Sequence, residues 1–356
     1  MLRDGRTAVS APTAVWAGGD RIAGSLIAAA GAPGGTVALQ AGAEARVSVA
    51  GLRANNASVP ITPGDVWHIG SITKSMTAAL VARLVEAGAV SWDDTVGKLL
   101  GDLGGEINRA CRHVTFLDLL AHRSGLAANL GVFASMRLAG RDDDRDALAD
   151  RRTYAARVLD RGAASAPVAF RYSNAGYVVA GAMLEEATGE RWESLIRREV
   201  FAPLGLESAG IGPPGSRDVL DQPRGHRRVL GVGPLRPAPP GPAADNIPAL
   251  GPAGRVHASA ADMLRYLAAH VAEDRAFLSR ENWARLHTPP PGADYALGWR
   301  REPDGRLTHD GSNTMWYARA TIWPGASRAA FLAVNKGGIL MAPAGFDAAE
   351  AALSAE

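Results

Sequence analysis

Cysteine and lysine are scarce in this chain of 356 residues, and each shortage carries information. A single cysteine, Cys111, excludes an intrachain disulfide, and no Cys/His spacing typical of a metal site surrounds it. We therefore expect no metal or other cofactor, and we expect Cys111 to be buried and inert. Only three of the 38 basic residues are lysines, so a lysine beside a candidate nucleophile is conspicuous.

An excess of one charge and long apolar runs are also lacking. The 38 basic and 36 acidic residues give a net charge of +2, and they form no Lys/Arg stripe, so no nucleic-acid partner is expected. No uncharged apolar run reaches the ~18 residues of a membrane-spanning helix, so no integral membrane segment is predicted. Charged residues interrupt every apolar stretch near the N-terminus, so no signal peptide is recognised. The compartment stays open between the cytoplasm and the periplasm or exterior.

Hydrophobic periodicity predicts strands near both chain ends and helices in the middle. Short apolar or alternating runs predict strands over residues 36–40, 45–50, 296–300, 307–311, 316–323 and 329–335. Apolar residues three and four apart predict helices over residues 22–30, 71–88, 114–126, 143–160, 173–188, 190–201, 259–272 and 343–353.

This order of elements predicts an α/β (α+β) fold with an antiparallel sheet from both termini, flanked by helices, and a mostly helical lobe. We expect a single domain of two lobes. Residues 1–71 and 291–356 form the α/β lobe in this prediction, and residues 72–290 form the helical lobe. A Pro/Gly-rich loop at 211–254 is long enough to wall a cleft between the lobes, where a ligand site is expected.

The first candidate motif, Ser71-Ile72-Thr73-Lys74, opens the apolar helix. A three-residue step places the serine and the lysine about 60° apart on one helix face, so their side chains can touch. The helix N-terminus adds unpaired N–H groups that suit a developing anion. Taken alone, the motif is equally explained by a Ser71 that caps the helix and a Lys74 that lies on the surface.

A second motif, Tyr172-Ser173-Asn174, opens the helix predicted over 173–188. A tyrosine at this place can accept a proton, and an asparagine can bind an amide. The alternative is that Tyr172 is a core aromatic and Ser173 an N-cap.

A third motif, His309-Asp310-Gly311-Ser312, lies on a predicted strand. Gly311 has no side chain, so the backbone of a substrate can lie against the strand at that point.

With these motifs in this order and spacing, the chain resembles the serine β-lactamase and penicillin-binding-protein superfamily. The branch it resembles holds class C β-lactamases, certain D-alanyl-D-alanine peptidases, D-aminopeptidases and family VIII esterases. The resemblance extends over nearly the whole chain. The segments that carry it are WHIGSITK (67–74), LLAHRSGL (119–126), YSNAGYVVAG (172–181), FAPLGL (201–206), AG…SAADMLRYL within 251–267, and YALGW (295–299).

The resemblance implies a catalytic role for four side chains. Ser71 matches the nucleophile, Lys74 the lysine that activates it, and Tyr172 the proton shuttle. His309 matches the residue that opens the third motif. Whether Lys74 or Tyr172 is the resting general base stays open, because two interacting groups can titrate as a unit.

The resemblance also implies substrate contacts. Asn174 matches the residue that contacts the substrate amide, and Gly311 and Ser312 match the substrate-binding strand. The backbone N–H groups of Ser71 and Ser312 match the oxyanion hole, which stabilises the tetrahedral intermediate.

Other conspicuous side chains near the motifs receive structural interpretations. His68 and His122 are expected to have structural roles rather than catalytic ones. Trp316 and Tyr317 follow the third motif and are expected to pack in the core.

The predicted activity is that of a serine hydrolase that forms an acyl-enzyme with small esters or amides, like an esterase or a D-amino-acid peptidase, with weak β-lactamase activity. A true β-lactamase and a non-catalytic module that recognises penicillin are the alternatives. A small ester, amide or peptide substrate is the expected partner, and the oligomeric state is left open.

Substrate preference is predicted from the third motif. Many β-lactamases have a lysine where this chain has His309, and that lysine helps to bind the carboxylate of the antibiotic. A histidine is mostly neutral at pH 7, and the carboxylate of Asp310 beside it is expected to repel an anionic substrate by about 1 kcal/mol. Nitrophenyl esters should therefore be preferred over nitrocefin. The alternative is that alternation along the strand turns Asp310 away from the cleft when His309 points into it.

Overall fold

The computed structural model describes residues 16–101, 107–130, 147–162, 169–228, 232–337 and 344–356. The strands are β1 (Gly34–Ala41), β2 (Glu44–Gly51), β3 (Val66–His68), β4 (Gly210–Ile211), β5 (Gly225–Arg228), β6 (Leu235–Ala238), β7 (Val256–Ser259), β8 (Arg300–Arg301), β9 (Leu307–Ser312), β10 (Tyr317–Trp323) and β11 (Arg328–Val334). The helices are α1 (Ala17–Ala30), α2 (Thr73–Glu86), α3 (Val96–Leu99), α4 (Phe116–Leu120), α5 (Ala147–Asp160), α6 (Asn174–Thr188), α7 (Trp192–Ile196), α8 (Gly251–Gly254), α9 (Ala260–Ala272), α10 (Arg280–His287) and α11 (Ala344–Ala355).

Both ends of the chain build the main sheet, whose strand order is β2-β1-β11-β10-β9-β8. All neighbouring pairs in it are antiparallel, and β1 joins β11 in a register that sets Ala38 opposite Phe331. The predicted α+β fold with an antiparallel sheet is therefore confirmed. The division of the chain into two lobes stays a prediction.

The two faces of the main sheet bury separate cores, because successive side chains of a strand point to opposite faces. On one face Val37 and Leu332 pack with α1 and α11. On the other face Ala38 and Phe331 join the larger core, which includes α2 and α9. Burial on both faces explains why β1 and β11 read as continuous apolar runs in the sequence.

Helix α2 is buried along most of its length, as its apolar pattern predicts. A single 3-10 turn, Gly70–Ile72, precedes it, and every side chain from Thr73 to Ala82 is buried. A short sheet with the order β3-β7-β4, which the sequence pattern did not predict, leads into this turn. The turn is thus held between a strand and a buried helix. Among the described residues, no helix is both long enough and apolar enough to cross a bilayer.

Three predicted elements differ from the observed ones for local reasons. The helix predicted over 114–126 ends at Leu120, because His122 adopts a left-handed backbone with φ of 58°. The strand predicted over 296–300 is reduced to β8, because Gly298 turns with φ of 82° against α2. The Pro/Gly-rich segment 211–254, expected to be loop, contains the hairpin β5-β6 and the short helix α8.

Candidate active site

Ser71 lies in the 3-10 turn between β3 and α2, where the backbone approaches β9 closely. Gly70 has a φ of 51°, and a Cβ built on it would lie 2.3 Å from the nitrogen of Ser312. A Cβ on Gly311 would lie 1.9 Å from the carbonyl oxygen of Ile69 and 2.9 Å from the nitrogen of Ser71. Glycine at both positions therefore allows the serine turn and β9 to meet.

Lys74 contacts Ser71, as the three-residue step predicts. The Nζ of Lys74 lies 2.9 Å from the Oγ of Ser71 and donates to the carbonyl oxygen of Ala253 at 2.6 Å. The lysine is fully buried and forms no ion pair with any described residue. Burial without a countercharge lowers the pKa of Lys74 well below its ordinary value. The surface-residue alternative for Lys74 is therefore wrong.

Tyr172 is the third member of this contact group. Its phenol interacts with the Ser71 hydroxyl, and its ring centroid lies 4.9 Å from the Nζ of Lys74. Burial raises the pKa of Tyr172 above its ordinary value, and the hydrogen bond from Ser71 lowers it by less. The next residue, Ser173, caps α6 by accepting from the N–H of Gly176 at 3.0 Å. The motif thus holds an N-cap and also a tyrosine in contact with the serine.

Asn174 is the first residue of α6. Its Nδ2 donates to the Oδ1 of Asn129 at 2.9 Å, on an exposed side of the site. Asn129 follows the segment LLAHRSGL, and nothing in the sequence marked it as part of the site. An amide pair of this kind offers both donors and acceptors to a substrate.

His309 lies on β9 and reaches the site through a second tyrosine. Its Nδ1 lies 2.7 Å from the carbonyl oxygen of Asp310, so Nδ1 carries the hydrogen. Its Nε2 therefore accepts from the hydroxyl of Tyr295 at 2.9 Å. Burial, followed by the nearby charge of Lys74, lowers the pKa of His309 to about 4. The imidazole is neutral at pH 7. Its partner Tyr295 belongs to the YALGW segment, which contributes to the family resemblance but was not assigned to the site.

The backbone nitrogen of Ser312 lies beside the serine turn, while its side chain forms hydrogen bonds with nearby residues of the chain. The hydroxyl of Ser312 donates to the carbonyl oxygen of Trp316 at 2.7 Å and accepts from the N–H of Thr314 at 3.0 Å. The predicted substrate-binding residues Gly311 and Ser312 therefore lie where β9 meets the serine turn.

Asp310 does not act as predicted. Its carboxylate accepts from the Nε of Arg319 at 2.6 Å and from the hydroxyl of Tyr317 at 2.8 Å. Alternation along β9 places this side chain on the face opposite His309. The expected repulsion between Asp310 and an anionic substrate is therefore wrong, because the carboxylate lies on the opposite face of the strand, where it pairs with Arg319.

The two histidines near the motifs have packed, hydrogen-bonded environments. The ring of His122 lies 4.3 Å from that of Tyr172 and 4.8 Å from that of Tyr295, and its Nδ1 accepts from the N–H of Ser173 at 3.0 Å. Burial lowers the pKa of His122 well below its ordinary value. The other histidine, His68, is buried and stacked on Trp316 with a centroid distance of 5.6 Å.

Comparison with protein families matches residues 20–352 to the family described as Beta-lactamase. Penicillin-binding protein 4 of Amycolatopsis lactamdurans is 28% identical over 324 residues, which cover 86% of this chain and 81% of that protein. Esterase EstB of Burkholderia gladioli is 31% identical over 171 residues, which cover 45% of this chain and 42% of the esterase. The solved structure of the D-amino acid amidase from Ochrobactrum anthropi SV3 complexed with L-phenylalanine amide has the same fold. It has a TM-score of 0.74 at 21% identity, and the match covers 94% of this chain and 97% of the amidase.

Proposed function

The chain belongs to the β-lactamase family of serine hydrolases, and from that premise we propose that it hydrolyses small esters and amides through an acyl-enzyme on Ser71. The observation that carries the proposal is the 2.9 Å contact between Ser71 and the fully buried Lys74. A serine hydroxyl is a poor nucleophile until a neighbour takes its proton, and a buried amine with a lowered pKa can do so.

Lys74 is the resting general base in this proposal. Burial disfavours the charged form of each group, so it favours the free amine of Lys74 and the neutral phenol of Tyr172. The amine accepts the proton of Ser71 while Oγ attacks the carbonyl carbon of the substrate. As the bond to the leaving alcohol or amine breaks, Tyr172 gives that group its phenolic proton and takes a proton from the Lys74 ammonium, which restores the free amine.

The tetrahedral intermediate carries its negative charge on the former carbonyl oxygen. The N–H groups of Ser71 and Ser312 are brought together by the close approach at Gly70 and Gly311, and we assign them to the oxyanion hole. Two such donors contribute about 3 kcal/mol each to transition-state stabilisation. A water molecule then attacks the acyl carbon. Lys74 and Tyr172 take its proton and return a proton to the Oγ of Ser71, which leaves as the acid product is released.

Ester and simple amide substrates are favoured over β-lactams by the neutrality of His309. A buried imidazole with a pKa of about 4 supplies no positive charge for the carboxylate of a penicillin or cephalosporin. We therefore expect nitrophenyl butyrate to be hydrolysed with a kcat/KM at least ~10-fold above that of nitrocefin, because an absent ionic contact costs roughly 1–2 kcal/mol. Parallel kinetics on the two chromogenic substrates check this, and faster turnover of nitrocefin would identify a true β-lactamase instead.

Covalent labelling tests the nucleophile. A fluorophosphonate probe should modify the wild-type enzyme at Ser71, as read by peptide mass spectrometry, and Ser71→Ala should remove labelling and lower turnover by roughly 10³-fold or more. Ser25→Ala, at an exposed position on α1, is the control and should label normally. A protein that binds fluorescent penicillin reversibly without any Ser71 adduct would be a non-catalytic binding module, and the proposal would be abandoned.

A further inference from the structure

A buried carboxylate from the Pro/Gly-rich segment lies behind the proposed active site. Asp245 follows a 3-10 turn, Pro242–Ala244, and its side chain is 1% exposed. An ionised group at such depth is stable only when hydrogen bonds and opposite charges surround it. The partners of Asp245 come from three separate segments, each of which carries a group of the proposed mechanism.

The first segment is the serine turn. The N–H of Gly70, one residue before Ser71, donates to the Nδ1 of His68 at 3.1 Å. The Nε2 of His68 therefore carries the hydrogen, and it lies 2.8 Å from the Oδ1 of Asp245. A chain of two contacts thus joins the carboxylate to the backbone that presents the nucleophile.

The second segment is the end of β9. Asn313, one residue after Ser312, donates from its Nδ2 to the Oδ1 of Asp245 at 3.1 Å and to the carbonyl oxygen of Ala244 at 3.2 Å. The Oδ1 of Asn313 accepts from the N–H of Met315 at 3.1 Å, so its side chain is held from both ends. The carboxylate is thereby connected to the second proposed oxyanion donor.

The third segment is the turn after α8. The Nε of Arg255 lies 3.0 Å from the Oδ2 of Asp245, and the neighbouring Asn246 donates from Nδ2 to the carbonyl oxygen of Gly254 at 2.9 Å. The preceding residue, Ala253, supplies the carbonyl that accepts from Lys74. The same carboxylate therefore anchors the backbone that orients the proposed base.

We propose that Asp245 is a positioning residue that sets the geometry of the oxyanion hole and of Lys74. It acts through His68, Asn313 and Arg255, and it touches neither the substrate nor the reacting atoms. This inference rests on the proposed function of Ser71. The two oxyanion donors belong to elements distant in sequence, and one rigid carboxylate between them fixes their separation, which governs the transition state more than substrate binding.

The charge of Asp245 is maintained over the whole working range of pH. Burial raises the pKa of Asp245, but its interactions with His68, Arg255 and Asn313 outweigh that effect and hold the pKa at about 2. The carboxylate therefore stays ionised in any ordinary assay. The positioning is constant and is not a pH switch.

The experiment compares Asp245→Asn with a matched control, Asp65→Asn. Asp65 is equally buried, with 1% exposure, and is paired with Arg53, but it touches none of the three segments. Asp245→Asn should lower kcat for nitrophenyl butyrate by roughly 10–100-fold while KM changes less than about threefold. Asp65→Asn should lower the melting temperature by a similar amount and leave kcat near the wild-type value. Equal kcat in the two variants would overturn the inference.

Phenylboronic acid provides a readout that a purely structural role would not change. The boronate forms a tetrahedral adduct with a catalytic serine, and one of its oxygens occupies the oxyanion hole. Its Kd should weaken in Asp245→Asn by about the same factor as kcat/KM, because both report the geometry of that hole. An unchanged Kd would overturn the inference while leaving Ser71 as nucleophile.

A second variant covers the case in which Asp245→Asn does not fold. His68→Asn keeps an acceptor near the N–H of Gly70 but removes the contact with Asp245, so it should lower kcat and weaken the boronate in the same ratio. Unchanged kinetics in His68→Asn would contradict the role of the carboxylate. Failure of the proposed function appears differently, as absence of labelling and turnover in the wild-type enzyme.

Discussion

At the scale of single residues, burial decides the chemistry of this site. Burial disfavours the charged forms of Lys74, Tyr172 and His309: it lowers the pKa of the lysine and of the histidine and raises the pKa of the tyrosine. Ser71 remains partly exposed and thus available to a substrate. The sequence motifs predicted these four side chains as catalytic residues, while the pKa of each titratable one depends on its surroundings.

The pH dependence of turnover should identify the general base. If free Lys74 is the base, kcat/KM rises with pH through the lysine pKa and reaches its plateau well below 10.5, because burial lowers that pKa. A tyrosinate base would instead need a pH above the ordinary value of 10, since burial raises the pKa of Tyr172. The measurement is a pH–rate profile on a nitrophenyl ester.

Tyr172→Phe is the control for this profile. It should lower kcat through loss of the proton relay and leave the acidic limb of the profile in place, because that limb belongs to Lys74. Disappearance of the acidic limb in Tyr172→Phe would assign the limb to the tyrosine and contradict the role of Lys74 as base.

At the scale of elements, the site depends on how closely β9 approaches the serine turn. Two glycines, Gly70 and Gly311, remove the side chains that would separate them. Gly70 also has a left-handed backbone conformation, which residues with side chains rarely adopt. The proposed oxyanion hole thus depends on one strand and one turn that pack without intervening side chains.

Gly311→Ala tests this close approach. Its Cβ would lie 1.9 Å from the carbonyl oxygen of Ile69, so β9 must move away from Ser71, and turnover should fall by roughly 100-fold or more. Gly64→Ala is the matched control, because a Cβ there meets nothing within 4 Å and the φ is not left-handed. Kinetics and a melting curve on both variants check it, and wild-type turnover in Gly311→Ala would refute the packing argument.

At the scale of the whole molecule, the sheet that carries the third motif combines strands from the two ends of the chain. β11 lies between β1 and β10, so it connects the N-terminal hairpin to the strands that hold His309. Phe331 on β11 is fully buried in the larger core. Stability of the sheet is therefore a condition for the geometry of the site, although Phe331 takes no part in the chemistry.

Phe331→Ala should lower the free energy of unfolding by about 3–5 kcal/mol, because it removes a buried aromatic side chain and leaves a cavity. Val232→Ala, at a position 88% exposed, should change it by less than about 0.5 kcal/mol. Urea denaturation followed by tryptophan fluorescence measures both. A loss below about 1 kcal/mol in Phe331→Ala would show that β11 is not a central element of the core.

Features that depend on the local order of residues could be predicted from the amino-acid sequence. Helix periodicity and the three-residue step put Ser71 beside Lys74, and apolar runs at both termini specified the strands of the main sheet. Alternation along a strand also places His309 and Asp310 on opposite faces, which is the arrangement observed in β9.

Features that depend on contacts between distant segments could not be predicted, because they form only when the chain folds. Folding brings Tyr295 against His309, Asn129 against Asn174 and Asp245 against His68, and no spacing in the chain encodes those contacts. Protonation states were decided in the same way, since the pKa of a buried group depends on the atoms packed around it.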